Sequence, residues 1–213
     1  MMNLETLRES VRTRLGVPEA DNFYTAPILD DLVNEAIQAI ALEEDWPWLQ
    51  SSATLNTVAG TQSYTPPVNV GHVWSRTRGL ARVNDDVLEW HPLKEIRGAG
   101  DGRGIPIWYC ITQEQLILAP IPSSALQYTH DYIRQEPILV NNEDAPVMPI
   151  PFRYAIVHLA ASMGYARQNE DPRAAAEMSQ YQAWLKRMQD NRRRSAAPAR
   201  VRVRPGAMWL NGT

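Results

Sequence analysis

Four histidines, one cysteine, a few runs of adjacent acids and a glycine-rich stretch are the features of this 213-residue chain whose residue types could do chemistry. His72, His91, His130 and His158 fall in four separate segments, and none has a neighbour at metal-ligand spacing, so no metal site is expected. His158 lies in an apolar helical segment and reads as a hydrogen-bonded core or interface residue rather than a ligand. His130 and Asp131 are adjacent in an extended run, which sends them to opposite faces and excludes a dyad. Cys110, within Ile-Trp-Tyr-Cys-Ile, has no local cation or helix start to lower its pKa and reads as a small buried apolar residue. The acid runs Asp30-Asp31, Glu43-Glu44-Asp45 and Asp85-Asp86 could in principle supply paired carboxylates for hydrolysis, but adjacent acids on a helix surface or turn are normally solvated. No catalytic residue and no cofactor is therefore expected.

Residues 98–104 contain four glycines but neither G-x-G-x-x-G nor a closing Gly-Lys-Ser/Thr, and they precede a strand rather than a helix. They read as a mobile loop from which Arg97 and Arg103 could reach a partner or a nucleic acid.

Charge carries more information than any of these motifs. The formal net charge is −3, yet residues 1–50 hold ten Asp/Glu against three Arg, and residues 186–204 hold eight Lys/Arg against Asp190 alone. Such segregation points to a partner or a second copy of the chain. Arg192, Arg193, Arg194, Arg200, Arg202 and Arg204 could neutralise phosphates, but no recognition helix or aromatic single-strand platform accompanies them. The preferred reading is an arm that docks on another subunit, with Val201-Arg202-Val203-Arg204 able to add a strand and Trp209 and Leu210 as its anchor; a disordered tail is the third reading, against which an exposed Trp-Leu without a partner would be unusual.

The elements that would carry these residues are legible from periodicity. Leu4, Leu7, Val11 and Leu15 mark a first helix that Gly16 and Pro18 stop. Leu29, Leu32, Val33, Ala36, Ile37 and Ile40 form the stripe of a second, with Thr25 as N-cap and Pro27 in its first turn; Asp30, Asp31 and Glu35 lie opposite, available for subunit contacts. Trp46-Pro47-Trp48-Leu49 ends it with an aromatic wedge for a core or an interface. From 51 to 147, short alternating runs separated by Gly and Pro predict strands at 53–58, 62–65, 72–78, 87–91, 105–112, 115–119 and 126–134. Neither face of the last run is wholly apolar, which suits a small sheet with wet or partner-covered edges. Residues 152–169 predict a buried helix whose Ala155, Ala160, Ala161 and Gly164 admit a close neighbour. Asp171 as N-cap before Pro172 opens a last helix with a seam of Ala174, Met178, Tyr181, Leu185 and Met188. The fold class expected is α+β: a helical bundle from residues 1–50 and 148–194, an inserted antiparallel β domain at 51–147, and an extended basic arm at 195–213. No apolar run is long enough for a membrane span, the N-terminus lacks a secretory apolar core, and a single cysteine fits assembly in a reducing cytoplasm.

The order of these pieces resembles a known family. Leu29-Asp-Asp-Leu-Val-Asn-Glu-Ala-Ile leads to Glu44-Asp-Trp-Pro-Trp-Leu-Gln50 and Thr57-Val-Ala-Gly-Thr-Gln-Ser-Tyr-Thr-Pro66, followed by Leu116-Ile-Leu-Ala-Pro-Ile-Pro122, a Pro-rich stretch at 146–151 and the Ala-rich helix. This succession, over roughly residues 4–190, is similar to the head-to-tail connector or adaptor proteins of tailed bacteriophages, including those described as tail tubular or head-completion proteins. The resemblance implies a non-enzymatic virion protein at the head–tail junction: a ring of about twelve copies, with contacts between unlike surfaces, joining the portal protein to a downstream tail protein around a DNA channel. It also implies that the C-terminal segment reaches the portal. A nucleic-acid-binding assembly factor using the same arm, or a hydrolase using a carboxylate pair, are the alternatives the residues leave open.

Overall fold

The computed structural model describes residues 2–65, 79–82, 87–98, 100–112 and 115–196, with 79–82 and 194–196 described as backbone. The strand expected at 72–78, the acid pair Asp85-Asp86 and the arm beyond Ala196 lie outside the described residues.

Helix α1 (Leu4–Leu15) starts where the Asn3 side chain accepts a hydrogen bond from the Thr6 amide, and ends at Gly16 in the left-handed region, which glycine enters without the Cβ penalty. Helix α2 (Ala26–Glu43) follows Thr25 and Pro27 as expected, except that Thr25, although extended, makes no side-chain capping bond. Instead Asp21 accepts from the amides of Phe23 and Tyr24 and shapes the entry. Pro47–Leu49 is a single 3-10 turn between α2 and the first strand.

Nine short strands and one helical turn follow: β1 (Gln50–Asn56), β2 (Ser63–Tyr64), β3 (Gly79–Arg82), β4 (Glu89–Trp90), α3 (Leu93–Gly98), β5 (Arg103–Gly104), β6 (Trp108–Ile111), β7 (Leu116–Ala119), β8 (Ile121–Pro122) and β9 (Gln127–Ile133), counted among the described residues. One sheet has the order β1-β9-β3 and is antiparallel, registered by Ala53 opposite His130 and Leu80 opposite His130 from the other side. The second has the order β2-β7-β6-β4, with β4 joining parallel, and β5 and β8 form a separate parallel pair. The parallel additions are two residues long each, short enough that strand twist does not oppose them. Strand β9 is the central strand of this small sheet. Its Tyr128, His130 and Tyr132 point inward and are buried while Gln127, Thr129 and Asp131 are exposed, as the period of two requires.

The chain then returns to helix: a 3-10 turn at Ile150–Phe152, α4 (Tyr154–Arg167) and α5 (Asp171–Ala196). Asp171, expected as the cap, is the first helical residue, and the carbonyl of Glu170 accepts from the amides of Arg173 and Ala174. Helix α4 is buried on nearly every face and packs on α1, α2 and α5. Close approach is literal at Gly164, where a Cβ would sit 2.9 Å from Leu15 Cδ2. The α5 seam faces this core, with Ala174, Tyr181 and Met188 buried and Met178 and Leu185 half-buried beside them.

Two sets of cores result. A large one joins the helices with Trp46, Leu49, Leu139, Met148 and, from β9, Ile133. Two small ones hold the strands: Leu88, Tyr109, Leu116, Leu118 and Tyr128 in one, and Ile96, Cys110, Ile117 and Ala119 in the other.

Candidate functional site

The acids of α2 are mostly engaged within the chain. Arg8 on α1 holds Asp30 with two hydrogen bonds, Nε at 2.6 Å and Nη2 at 2.9 Å, and reaches Asn142 from the same guanidinium. Both partners are largely buried, so this bidentate pair is firmer than a surface one. Arg167 on α4 pairs with Glu35 at 3.0 Å on the exposed face. Glu43 accepts from the Tyr181 hydroxyl, whose pKa is raised by burial and then by that carboxylate. Glu44 pairs with Arg192 near the end of α5. Asp31, the third of the expected interface acids, is exposed and is in no ion pair among the described residues.

Through Glu44 and Arg192, the acidic beginning of the chain meets the first arginine of its basic end. Arg192, expected to belong to a docking arm, is a half-buried residue of α5 held against Glu44, whereas Arg193 is exposed beside it. Arg194 lies on the backbone of α5, and Arg200, Val201, Arg202, Val203, Arg204, Trp209 and Leu210 lie outside the described residues.

Trp46 was expected at a subunit interface. It is fully buried in its own chain, stacks on Trp48 at 4.7 Å, and its indole N–H donates to the Ile40 carbonyl at 2.6 Å. It therefore satisfies one of the last carbonyls of α2 from within the core and leaves a neighbour nothing to touch. Trp48 is half-buried, 6.1 Å from the Phe152 ring, and does keep a solvent-facing side.

Arg97 and Arg103 are both exposed. The loop between them is not free throughout: the carbonyls of Gly102 and Gly104 accept from Ile121 and Ser123 at 2.9 Å each, tying its second half to the β7–β8 corner. A cleft of about 480 Å³ opens beside it, lined by His91, Glu95, Gly98, Gly102, Ile107, Trp108 and Pro120. His91 sits 2.8 Å from Glu95, and that hydrogen bond lifts the imidazole pKa above its ordinary value. Cys110 is buried behind this wall; burial raises its thiol pKa, and the opposing pull of Arg97 is the weaker influence. No group of three or more His, Cys, Asp or Glu residues is placed to hold a metal ion among the described residues.

Two polar networks escaped the sequence reading because their members are far apart in the chain. Glu177 binds Arg14 at 3.0 Å and His158 at 2.7 Å, joining α1, α4 and α5 and giving His158 the hydrogen-bonded core role expected of it. Glu136, nearly buried, accepts from the amides of Val147 and Met148 at 2.6 and 3.2 Å. Beside it the buried Arg153 donates to the carbonyls of Met2, Pro146 and Met148. Burial holds the Glu136 carboxyl above its ordinary pKa against those amides and the nearby Arg134 and Arg153. With Asn34 exchanging two hydrogen bonds with Leu139, these contacts strap the connection between β9 and α4 onto α1 and α2. These networks serve the fold.

What remains for function is surface, carried on a rigid helical frame and a small β unit, and it is at this point that comparison becomes informative. A family model described as SU10 adaptor protein matches residues 2–204. The chain belongs to this phage adaptor family. No curated protein matches it. The match takes in both the helical and the β parts of the adaptor and runs through Arg200, Val201, Arg202, Val203 and Arg204, while Trp209 and Leu210 fall beyond it. The adaptor family is a structural one and makes this chain a virion component. No helix among the described residues is long and apolar enough to cross a membrane.

Proposed function

We propose that the chain is a ring-forming head-to-tail adaptor, about twelve copies in heterologous contact, which joins the portal to a downstream tail protein and lets DNA pass through its channel without sequence-specific binding. The observation that carries this reading is the adaptor-family match along almost the whole chain. In it, the helical bundle of 1–50 and 148–194 is the rigid body, the β domain of 51–147 presents a second surface, and the segment from 195 to 213 is the docking arm, with Arg193 at its root. The paired positions of Asp30, Glu35 and Glu44 support a rigid frame rather than a bare acidic face. Assembly takes place in the host cytoplasm, and the finished protein sits at the head–tail junction.

The structure also sets where the arm should be cut for a test. Removing residues from 192 onward would break the Glu44 pair, so the informative truncation lacks 197–213 only. Mass measurement of the full chain mixed with portal protein should give a complex, and the truncated chain should give little or none. A full chain that ignores the portal would overturn the adaptor reading. Retained portal binding together with salt-sensitive DNA binding lost on truncation would move the arm to the nucleic-acid role.

A further inference from the structure

Among the described residues the exposed apolar side chains Phe23, Leu42, Val58, Ile138 and Val140 lie apart from one another or on connecting segments, which needs no explanation, but the others gather in two unlike places. The first is at the start of α4 and the middle of α5. Tyr154, 51% exposed, stacks on Trp184 with ring centroids 6.1 Å apart, and the Arg187 guanidinium lies 4.8 Å above the same indole. Ile150, also exposed, precedes Tyr154 by one helical turn. The second is at the β4 edge of the four-stranded sheet, where Val87, Trp90, Ile105 and Ile107 are each more than half exposed. Backbone pairing draws them together: Glu89 lies opposite Trp108, and its amide donates to the Ile107 carbonyl at 2.9 Å. The Glu89 side chain is 78% exposed, with His91 3.6 Å away.

We infer that the patch of Tyr154, Trp184 and Arg187 on one copy of the chain receives the patch of Glu89, Trp90 and Ile107 on the next. This names the subunit contact of the ring proposed above and rests on that reading for the presence of several copies. Aromatic and arginine side chains are the residue types that dominate protein–protein contacts. The charges choose the pairing. Either patch docked on itself would gather two Arg187 or two Glu89 side chains into one contact, whereas docking one on the other sets a cation over an indole against a carboxylate beside an indole. Two different complementary surfaces on one chain give heterologous contacts, which propagate from copy to copy and close into a ring when the rotation permits.

The test is a charge exchange in the full-length chain. Sedimentation over a concentration series should show self-association that Arg187→Glu and Glu89→Arg each weaken roughly tenfold and that the double variant restores. Both side chains are exposed, so thermal melts of the variants should match the parent. Singles that associate like the parent, a double no better than the singles, or a parent chain that stays monomeric at every concentration would overturn this contact. Portal binding, measured on the same samples, separates the two ideas: its persistence leaves the adaptor reading standing when this contact fails, and its absence in the parent chain overturns the adaptor reading instead.

Discussion

In the helical region Asp30, Glu35, Glu43 and Glu44 each meet a donor from another helix, and Trp46 fills the core completely. In the β region Glu89, Arg97, Asp101 and Arg103 are exposed, along with Trp90, Ile105 and Ile107. The helical region uses these acids and this indole on itself and leaves the Tyr154–Trp184 patch outward, whereas the β region offers its charges and its edge side chains outward. The physical basis is the size of the cores. A large apolar cluster shared by four helices can hold long ion-pairing side chains in place around it, while strands of two to seven residues enclose only small clusters and leave their ends uncovered. A chain built this way has a frame that resists deformation and a periphery available to partners.

That contrast is breakable by substitution. Trp46→Ala should cost about 3–5 kcal/mol, from the lost indole burial and the orphaned Ile40 carbonyl; equilibrium denaturation measures it, and a loss below about 1 kcal/mol would end the claim that this residue is structural. Glu136→Ala should cost about 3 kcal/mol, because it strands two amides and leaves Arg153 buried without its counter-charge. Glu136→Gln should cost less and also flatten a pH dependence. With its carboxyl pKa raised in the fold, the stability contribution of Glu136 is present below about pH 4.5 and declines as pH rises through the folded value. Arg8→Ala should cost about 2 kcal/mol, more than Arg167→Ala at about 0.5 kcal/mol, since the first pair is shielded and bidentate and the second is exposed; equal losses would mean that shielding is irrelevant here.

The smallest effects belong to the β surface. Trp90→Ala should leave stability within about 0.5 kcal/mol of the parent while weakening association, the reverse of Trp46→Ala. His130 gives the β sheet its own acid sensitivity: burial depresses the imidazole pKa against the weaker pull of Asp131, so stability is full above about pH 6.5 and falls as the pH drops toward the folded value. His130→Gln, followed by melting temperature between pH 7.5 and 5.5, should reduce that slope. Cys110 should resist thiol reagents until the chain is denatured, and rapid labelling of the native protein would show that the small cores are open.

Several of these residues could be placed from the sequence. The stripes of α1, α2, α4 and α5, the alternation of β9, the buried Cys110 and the core role of His158 are all visible as local periodicity or local composition. Element ends were less legible, as Thr25 without its capping bond and Asp171 inside rather than before its helix show. The two-residue strands β5 and β8 carry no pattern long enough to detect. Of the surface, the exposure of Arg97 and Arg103 was foreseen, while the pairing of Arg192 with Glu44, the complete burial of Trp46 and the Glu89–Trp90 edge were not.

The reason lies in what each level encodes. Side-chain periods of 3.6 and 2 repeat within a few residues, so the sequence alone determined the four long helices, the longer strands such as β1 and β9, and which face of each is apolar. The total charge at each end was equally plain, because it is a sum over neighbours in the chain. Whether a given charge or indole is consumed inside or left for a partner depends on what another segment, 22 residues away for Arg8 and Asp30 and 148 for Glu44 and Arg192, brings against it. Packing alone decides that, since an ion pair or a stacked ring is a property of two positions in space and no local pattern records the second.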